Sequence, residues 1–140
     1  MSPLNINHQA IEAMKLHALD VFPNECCGFF YGKDGEIRDI TLAQTVTNVK
    51  DGDQRRRFQI DPIDYMKAEK FAVETGLDLL GIYHSHPLHP AIPSEHDRVV
   101  AMPWFSYIIL SVNEQEIQAV RSWQLNSERK FEEETILTLK

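Results

Sequence analysis

The histidines of this sequence are concentrated in one short segment. Four of the six lie between positions 84 and 96, within the stretch His-Ser-His-Pro-Leu-His-Pro-Ala-Ile-Pro-Ser-Glu-His-Asp at 84–97. In an extended strand, side chains two positions apart point to the same side, so the imidazoles of His84 and His86 can converge on one point. Ser94 and Asp97 have the spacing of a helix N-terminus whose first turn presents a carboxylate. Two nitrogens and one oxygen are a ligand set that suits zinc.

A hydrolytic zinc site needs one more group. Such a site has three protein ligands and leaves a fourth position to water, whose pKa falls to about 7. Hydrolysis then requires a base that lies near the metal without binding it. Glu25 is the candidate, because we expect it at the start of the first predicted strand, facing into the domain, whereas most other acids lie on turns or polar helix faces.

Each part of this pattern also has an ordinary structural interpretation. A His-x-His pair at a strand end is more often a structural pair than a zinc site. Ser94 and Asp97 also fit a helix cap, in which the serine accepts a backbone N–H and the carboxylate lies at the positive end of the helix. Capping and metal binding can occur together. The spacing, the proline at 87 and Glu25 together favour a metal site.

Glu25, His-Ser-His-Pro at 84–87 and Ser-Glu-His-Asp at 94–97 resemble the signature of the JAMM (MPN-plus) metalloproteases. The likeness includes Pro-Asn-Glu-Cys-Cys-Gly at 23–28 and Arg-Arg-Arg-Phe at 55–58, and it covers most of the chain. Within that family the sequence most resembles the compact, stand-alone prokaryotic members. The resemblance implies an α+β fold of the MPN/JAB type, with a mixed, curved sheet flanked by helices, similar to the architecture of cytidine deaminases.

The resemblance also implies a role for five residues and a reaction. His84, His86 and Asp97 would bind zinc, Glu25 would activate the water, and Ser94 would stabilise the oxyanion. The enzyme would be a zinc metallopeptidase or isopeptidase that cleaves after the C-terminal Gly-Gly of a ubiquitin-like protein. At 140 residues there is little room for the insertions that shape a ubiquitin site in eukaryotic members. A small sulfur-carrier protein of the ThiS/MoaD type is therefore the expected substrate.

A non-catalytic MPN-type scaffold or protein-binding module is the main alternative. A scaffold would be expected to have lost ligands, whereas all the signature positions are present. A zinc nucleotide deaminase would need His-x-Glu and Pro-Cys-x-x-Cys, which are absent. We expect His89 and His96 on a loop or helix surface and residues 50–57 in a solvated loop. Two questions stay open: whether that loop gates the site, and whether the protein forms a homodimer.

Composition limits the class of protein and its partners. With 43% hydrophobic and 25% charged residues, the chain is typical of a globular protein, and its net charge of -7 disfavours nucleic acid as a partner. The longest apolar stretch, at 102–112, is too short to span a membrane, and the N-terminus has no export signal pattern, so a cytoplasmic location is expected. Cys26 and Cys27 are adjacent, a spacing that favours small buried strand residues over a metal or redox pair.

Hydrophobic periodicity predicts the elements that must position these residues, in one domain over residues 1–140. Helices are predicted at 8–20 and from a cap at Asp61 to Gly76. Strands are predicted at 25–31, 36–42, 79–84, 106–112 and 116–125, with weaker patterns at 45–49 and 135–139. Turn residues at 32–35 predict a hairpin between the first two strands. Trp104 and Trp123 are expected in the core.

Overall fold

The computed structural model describes residues 2–139. In chain order the elements of this range are β1 (Leu4–Ile6), α1 (His8–Val21), β2 (Cys27–Lys33), β3 (Arg38–Val46), α2 (Pro62–Thr75), β4 (Asp78–Pro87), α3 (Glu95–Val100), β5 (Ser106–Val112), β6 (Ile117–Leu125), β7 (Phe131–Glu134) and β8 (Ile136–Thr138). None of the helices within residues 2–139 has the length and apolar character needed to cross a bilayer.

The strands form one mixed sheet in the order β7-β6-β5-β4-β2-β3-β1-β8. Its two outer strands, β7 and β8, are separated in sequence only by Thr135. In a flat sheet of this order the outer strands would lie about 34 Å apart, which one residue cannot span. The sheet therefore curls until its edges approach, and Leu4 N–H of β1 donates at 2.9 Å to the carbonyl of Thr135, the residue that joins β7 to β8. The predicted curved α+β fold is confirmed.

Each face of the sheet carries a hydrophobic core. Helix α1 packs on one face through Ile11 and Met14, and α2 packs on the other through Ala68 and Ala72. Because side chains alternate along a strand, β2 contributes to both cores. Phe30 belongs to the α1 side, and Phe29 and Tyr31 belong to the α2 side.

Side chains define where the two long helices begin. Asn7 accepts the N–H of Ala10 at 2.9 Å and starts α1, which ends at Val21, one residue beyond the predicted end. Asp61 accepts the N–H of Ile63, Pro62 follows at the first helical position, and Gly76 caps the end of α2 after Thr75. Gly76 has a φ of 73°, a left-handed conformation that glycine adopts without strain. The predicted bounds of α2 are confirmed.

Several other predictions about the elements are wrong. The predicted strands at 36–42 and 45–49 are one continuous strand, β3, which ends at Val46. Strands β1 and β7 were not predicted, and the predicted strand at 135–139 is the shorter β8. Trp104 is 47% exposed rather than in the core. Its ring lies against Arg38, with the guanidinium carbon 4.3 Å from the ring centroid, so the cation occupies the face that would otherwise need apolar neighbours.

Candidate metal and catalytic site

The histidine pair lies near the end of β4, in the middle of the sheet. His84 and His86 point to the same face of the strand, toward α2 and the loop that precedes it, and both are buried. Their Nε2 atoms are 3.1 Å apart. The alternation of a strand thus brings two candidate ligand nitrogens to one point.

Asp97 comes to the same point from the first turn of α3. Ser94 Oγ accepts the Asp97 N–H at 3.0 Å, and the Ser94 N–H donates to Asp97 Oδ2 at 2.9 Å, so the two residues form a reciprocal capping box. The capped carboxylate oxygen lies 3.4 Å from His84 Nε2 and 3.2 Å from His86 Nε2. The helix cap and the three-residue group therefore share one oxygen atom.

The three candidate ligand atoms form a nearly equilateral triangle. Its edges are 3.1, 3.2 and 3.4 Å, measured between the two Nε2 atoms and from each of them to Asp97 Oδ2. In a tetrahedral zinc site with bonds of 2.0–2.1 Å, neighbouring ligand atoms are about 3.3 Å apart. The triangle has the dimensions of one face of such a tetrahedron, and the group could hold a metal ion.

Each imidazole is held by a contact on its far side. His86 Nδ1 lies 2.9 Å from Pro90 O, which assigns the ring proton to Nδ1 and leaves the Nε2 lone pair facing the group. The His84 ring stacks on Phe58 at 4.6 Å between centroids. His84 Nδ1 is buried and has no hydrogen-bond partner within residues 2–139.

Burial and mutual charge set the ionisation of the group. Burial lowers the pKa of His84, and the Asp97 charge opposes that effect without cancelling it. Burial alone would raise the pKa of Asp97, but the charge of His84 and the hydrogen bonds from both histidines outweigh it and hold the pKa below its usual range. A neutral imidazole beside an ionised carboxylate is the state that binds a cation.

Strand pairing brings Glu25 to the histidines. Cys27 of β2 pairs with His84 of β4, and Ser85 N–H donates to Cys26 O at 3.2 Å, so Glu25 follows opposite His86. Ser85 Oγ also accepts the Cys26 N–H at 2.8 Å, which fixes the chain just after Glu25. Glu25 is 5% exposed.

The Glu25 carboxyl is neutral at ordinary pH in this environment. Burial, followed by the charge of Asp97, raises its pKa to about 9, and the Arg57 charge opposes them. A divalent cation held by the nearby triangle would favour the carboxylate and lower this pKa. The charge state of Glu25 therefore depends on occupation of the triangle.

An open cavity of about 430 Å³ connects these residues. Its lining combines charged side chains of both signs, histidines and apolar side chains, and consists of Glu25, Arg56, Arg57, His86, His89, Pro90, Ile92, Ser94, Glu95 and His96. A second cavity, of about 340 Å³, shares His96 and is mainly apolar, with a lining of Lys50, Phe58, Gln59, Ile60, Tyr65, Ile82, Val100 and Tyr107. The candidate base and the candidate oxyanion donor thus face one space beside the triangle.

The site contains residues to which the sequence alone assigned no role. His89 and His96 lie on a turn and on α3, as expected, but both line the larger cavity. Phe58 and Pro90 orient the two histidines. The Arg-Arg-Arg-Phe run at 55–58 was the sequence signal for two of the lining residues. No local pattern indicated the carbonyl of Pro90.

Residues 7–126 match the family model of prokaryotic homologs of the JAB domain. The chain belongs to this family. A protein named Desampylase from Pyrococcus furiosus is 31% identical over 113 residues, which are 81% of this chain and 75% of that protein. A probable TtuB-protein conjugate cleaving protease from Thermus thermophilus is 32% identical over 103 residues, 74% of this chain and 66% of that protein.

The fold of this JAB-domain protein is also similar to that of a solved relative. The solution structure of a protein from Desulfitobacterium hafniense superposes with a TM-score of 0.84 at 30% identity, and covers 96% of this chain and 92% of that chain. The predicted membership of a compact, prokaryotic JAMM/MPN-type group is confirmed by the family match.

Proposed function

We propose that this JAB-domain protein is a zinc-dependent hydrolase that cleaves a peptide or isopeptide bond after the C-terminal Gly-Gly of a ubiquitin-like or sulfur-carrier protein. The names of two relatives, Desampylase and TtuB-protein conjugate cleaving protease, support this class of reaction. The observation that carries the proposal is the triangle of His84, His86 and Asp97 beside a cavity that Glu25 and Ser94 also line.

The donor set of the triangle supports zinc as the metal. His84 and His86 would contribute Nε2, and Asp97 would contribute Oδ2, a set typical of catalytic zinc sites. The lone pairs of three such atoms repel one another at these distances unless a cation or a proton lies among them. Bound there, zinc would lower the pKa of a coordinated water and polarise the substrate carbonyl.

Glu25 acts as the general base in this proposal. It is buried beside the triangle without being part of it, and no side-chain ion pair within residues 2–139 engages its carboxylate. Its carboxylate takes a proton from the attacking water and passes that proton to the leaving amine. Burial raises the pKa of Glu25, which makes its carboxylate a stronger base for the first half of this transfer.

Ser94 stabilises the oxygen of the scissile carbonyl. Its Oγ uses a lone pair to accept the Asp97 N–H, so its own O–H proton remains available to donate into the cavity. As the carbonyl carbon becomes tetrahedral, negative charge grows on the oxygen, and one fixed donor of this kind contributes about 10²- to 10³-fold to turnover. The capping box holds the hydroxyl in place for that role.

The proposed substrate is a Gly-Gly tail. Glycine lacks a side chain, so an extended tail can approach the metal group closely, and a tail bound as an added strand would be recognised through its main chain.

The described strands share one sheet, which supports a single catalytic domain. A cytoplasmic location, a homodimer and the absence of nucleic-acid partners stay predictions.

The test uses a recombinant ThiS/MoaD-type carrier that continues for a few residues beyond Gly-Gly. Zinc-loaded wild-type protein should remove the extension, as measured by mass spectrometry, whereas Glu25→Gln should bind zinc and leave the carrier intact. His86→Ala should lose the zinc. If the zinc-loaded wild type cleaves neither the extended carrier nor a carrier conjugate, the non-catalytic scaffold is the better account.

A further inference from the structure

We propose that Asn48 is a positioning residue for the reaction: its side-chain amide holds both the backbone of Glu25 and the segment that stacks on His84. It thereby sets the place of the base relative to the metal-binding group. This inference rests on the proposed hydrolase function and deepens it, because it states how that site is assembled. Asn48 lies near the start of the loop that joins β3 to α2, residues 47–61.

The backbone of Glu25 belongs to no helix or strand. Helix α1 ends at Val21 and β2 begins at Cys27, so Glu25 lies in the irregular segment between them. Ladder pairing of β2 with both of its neighbours starts at Cys27. Regular secondary structure therefore leaves the main-chain groups of Glu25 to other partners.

Cavities lie on two sides of Glu25. It lines the larger cavity beside the triangle, and it also lines a third cavity of about 310 Å³. The third cavity borders the last turns of α1 and the end of β3, where His17, Val21 and Thr45 line it. Groups that border open space have fewer packing partners, so the position of Glu25 depends more on hydrogen bonds.

Both main-chain groups of Glu25 are bonded to the β3–α2 loop. Its N–H donates to Gln54 O at 2.7 Å, and its C=O accepts from Asn48 Nδ2 at 3.0 Å. The loop contains no helix or strand over residues 47–61. The position of the candidate base therefore depends on whatever holds this loop in one conformation.

The amide of Asn48 uses its full hydrogen-bonding capacity. Besides Glu25 O, Nδ2 donates to Arg57 O at 3.1 Å, and Oδ1 accepts the N–H groups of Lys50 at 3.0 Å and Gln59 at 3.1 Å. A primary amide has two N–H donors and two acceptor lone pairs, so all four are satisfied. A flipped amide would place its NH₂ against two N–H groups and its oxygen against two carbonyls, so only one orientation fits.

A second side chain reinforces this arrangement. Gln54 Nε2 donates to Asn48 O at 3.1 Å and to Lys50 O at 2.9 Å. These bonds close the chain between positions 48 and 54 and bring Gln54 O to the Glu25 N–H. The loop is thus bonded to itself and to the base, which preorganises the base for its task.

The same loop reaches the metal-binding group. Phe58 stacks on the His84 ring with centroids 4.6 Å apart. Its chain neighbours are Arg57 and Gln59, whose backbone groups are both bonded to the Asn48 amide. One amide therefore links the backbone of the candidate base to the residue packed against a candidate ligand, and a shift of the loop would move both.

The proposed chemistry gives this link its importance. A general base must lie within about 2.6–3.2 Å of the group whose proton it takes, and a misplacement of about 1 Å can cost about 10²-fold in rate. Glu25 takes its proton from the attacking water and does not bind the carrier in this proposal. A displaced base should therefore lower kcat with little change in KM.

Asn48→Asp separates the two halves of the amide. The aspartate keeps an oxygen for the two loop N–H groups, but it puts a second oxygen, without a proton to share, against the carbonyls of Glu25 and Arg57. The link to the base is lost while the turn within the loop is retained. Asn24→Asp is the matched control for the added charge. Asn24 precedes Glu25 and lines the third cavity, and its side chain makes no hydrogen bond within residues 2–139.

Kinetics of the zinc-loaded proteins on a carrier extended beyond Gly-Gly provide the first test. Asn48→Asp should lower kcat about 10²-fold, keep KM within about threefold and bind zinc stoichiometrically. Asn24→Asp should keep kcat within about fivefold of wild type. Equal losses in the two variants would mean that charge alone acts on the site, and loss of zinc from Asn48→Asp would make Asn48 a support of the fold. Either result would overturn the proposal.

Hydrogen exchange in the metal-free proteins is a readout that does not need turnover. In Asn48→Asp the Glu25 amide proton should exchange at least about tenfold faster than in wild type, while the amides of β5 keep their rates. Faster exchange throughout the chain, or an unchanged rate at Glu25, would overturn the proposal. Local loosening at Glu25 in a protein whose wild type cleaves no carrier would support the hold on Glu25 and refute the proposed reaction.

Discussion

The backbone N–H of Ser94 donates to Asp97 Oδ2 at 2.9 Å, and that oxygen is the one that faces the histidine pair. In return, Ser94 Oγ accepts the Asp97 N–H at 3.0 Å. The first turn of α3 therefore orients a candidate metal ligand and a candidate oxyanion donor with one pair of hydrogen bonds. The capping and catalytic interpretations of this motif are compatible in the structure.

Substitutions of Ser94 should separate its contribution to turnover from its contribution to helix capping. Ser94→Ala and Ser94→Gly both remove the hydroxyl, so each should lower turnover about 10²- to 10³-fold. Alanine should also reduce the free energy of unfolding by about 0.5–2 kcal/mol, whereas glycine caps a helix nearly as well as serine. The measurements are turnover, urea unfolding and zinc content. If turnover falls in Ser94→Ala but not in Ser94→Gly, in parallel with the free energy of unfolding, Ser94 has a structural role alone.

Leu88 has a backbone conformation that favours glycine. Its φ is 61°, its side chain is 69% exposed, and its N–H donates to Val112 O at 2.8 Å in the turn that brings Pro90 O to His86. A left-handed residue with a Cβ costs about 1–2 kcal/mol. Leu88→Gly should therefore leave the free energy of unfolding unchanged or raise it by up to about 1 kcal/mol, and Leu88→Val should lower it.

Urea unfolding of the metal-free variants checks this prediction, with zinc affinity as the second readout. Glycine should preserve zinc affinity, since the turn and the Pro90 contact persist. A loss of both stability and zinc affinity in Leu88→Gly would mean that the leucine side chain, rather than the turn geometry, supports His86.

Glu25 should make the metal-free protein less stable as pH rises. Its folded pKa is about 9, above the ordinary value of 4.5. A carboxyl with a raised folded pKa contributes fully below the unfolded pKa, and the contribution is lost as pH rises toward the folded pKa. Between about pH 5 and 9, wild type should lose stability relative to Glu25→Gln, by at most about 1.4 kcal/mol per pH unit.

Urea unfolding across this pH range measures the difference between the two proteins. Because both retain His84 and Asp97, the titration of the triangle is largely common to them. Bound zinc should make the stability difference between the two proteins less dependent on pH, since a nearby cation favours the ionised carboxyl. A difference that does not vary with pH in the metal-free proteins would place the Glu25 carboxyl in a solvated environment.

The sequence was most informative where structure is local. The histidine pair on one strand face, the cap at Ser94 and the bounds of α2 follow from periodicities and motifs within a few residues. The position of Glu25 opposite His86 depends on the register between β2 and β4, which hydrophobic patterning does not specify. Its role was suggested by resemblance to a family rather than by the pattern around it.

The composition of β7 shows why this outer strand was missed. Strands β7 and β8 are short, and β7 contains three consecutive glutamates, a composition that resembles a loop. Glu134 is nevertheless buried, because it accepts the hydroxyls of Ser106 at 3.1 Å and Ser122 at 2.8 Å, and Arg38 donates to Ser106 at 2.9 Å. Burial of these polar residues is decided by partners distant in sequence.

The central claim is that His84, His86 and Asp97 together bind one zinc ion. X-ray absorption at the zinc edge, on protein loaded with a single equivalent, tests it most directly. The geometry predicts nitrogen and oxygen neighbours at about 2.0–2.1 Å, and their loss in His86→Ala. A sulfur neighbour near 2.3 Å, which would implicate Cys26 or Cys27, or the absence of stoichiometric binding, would contradict the assignment.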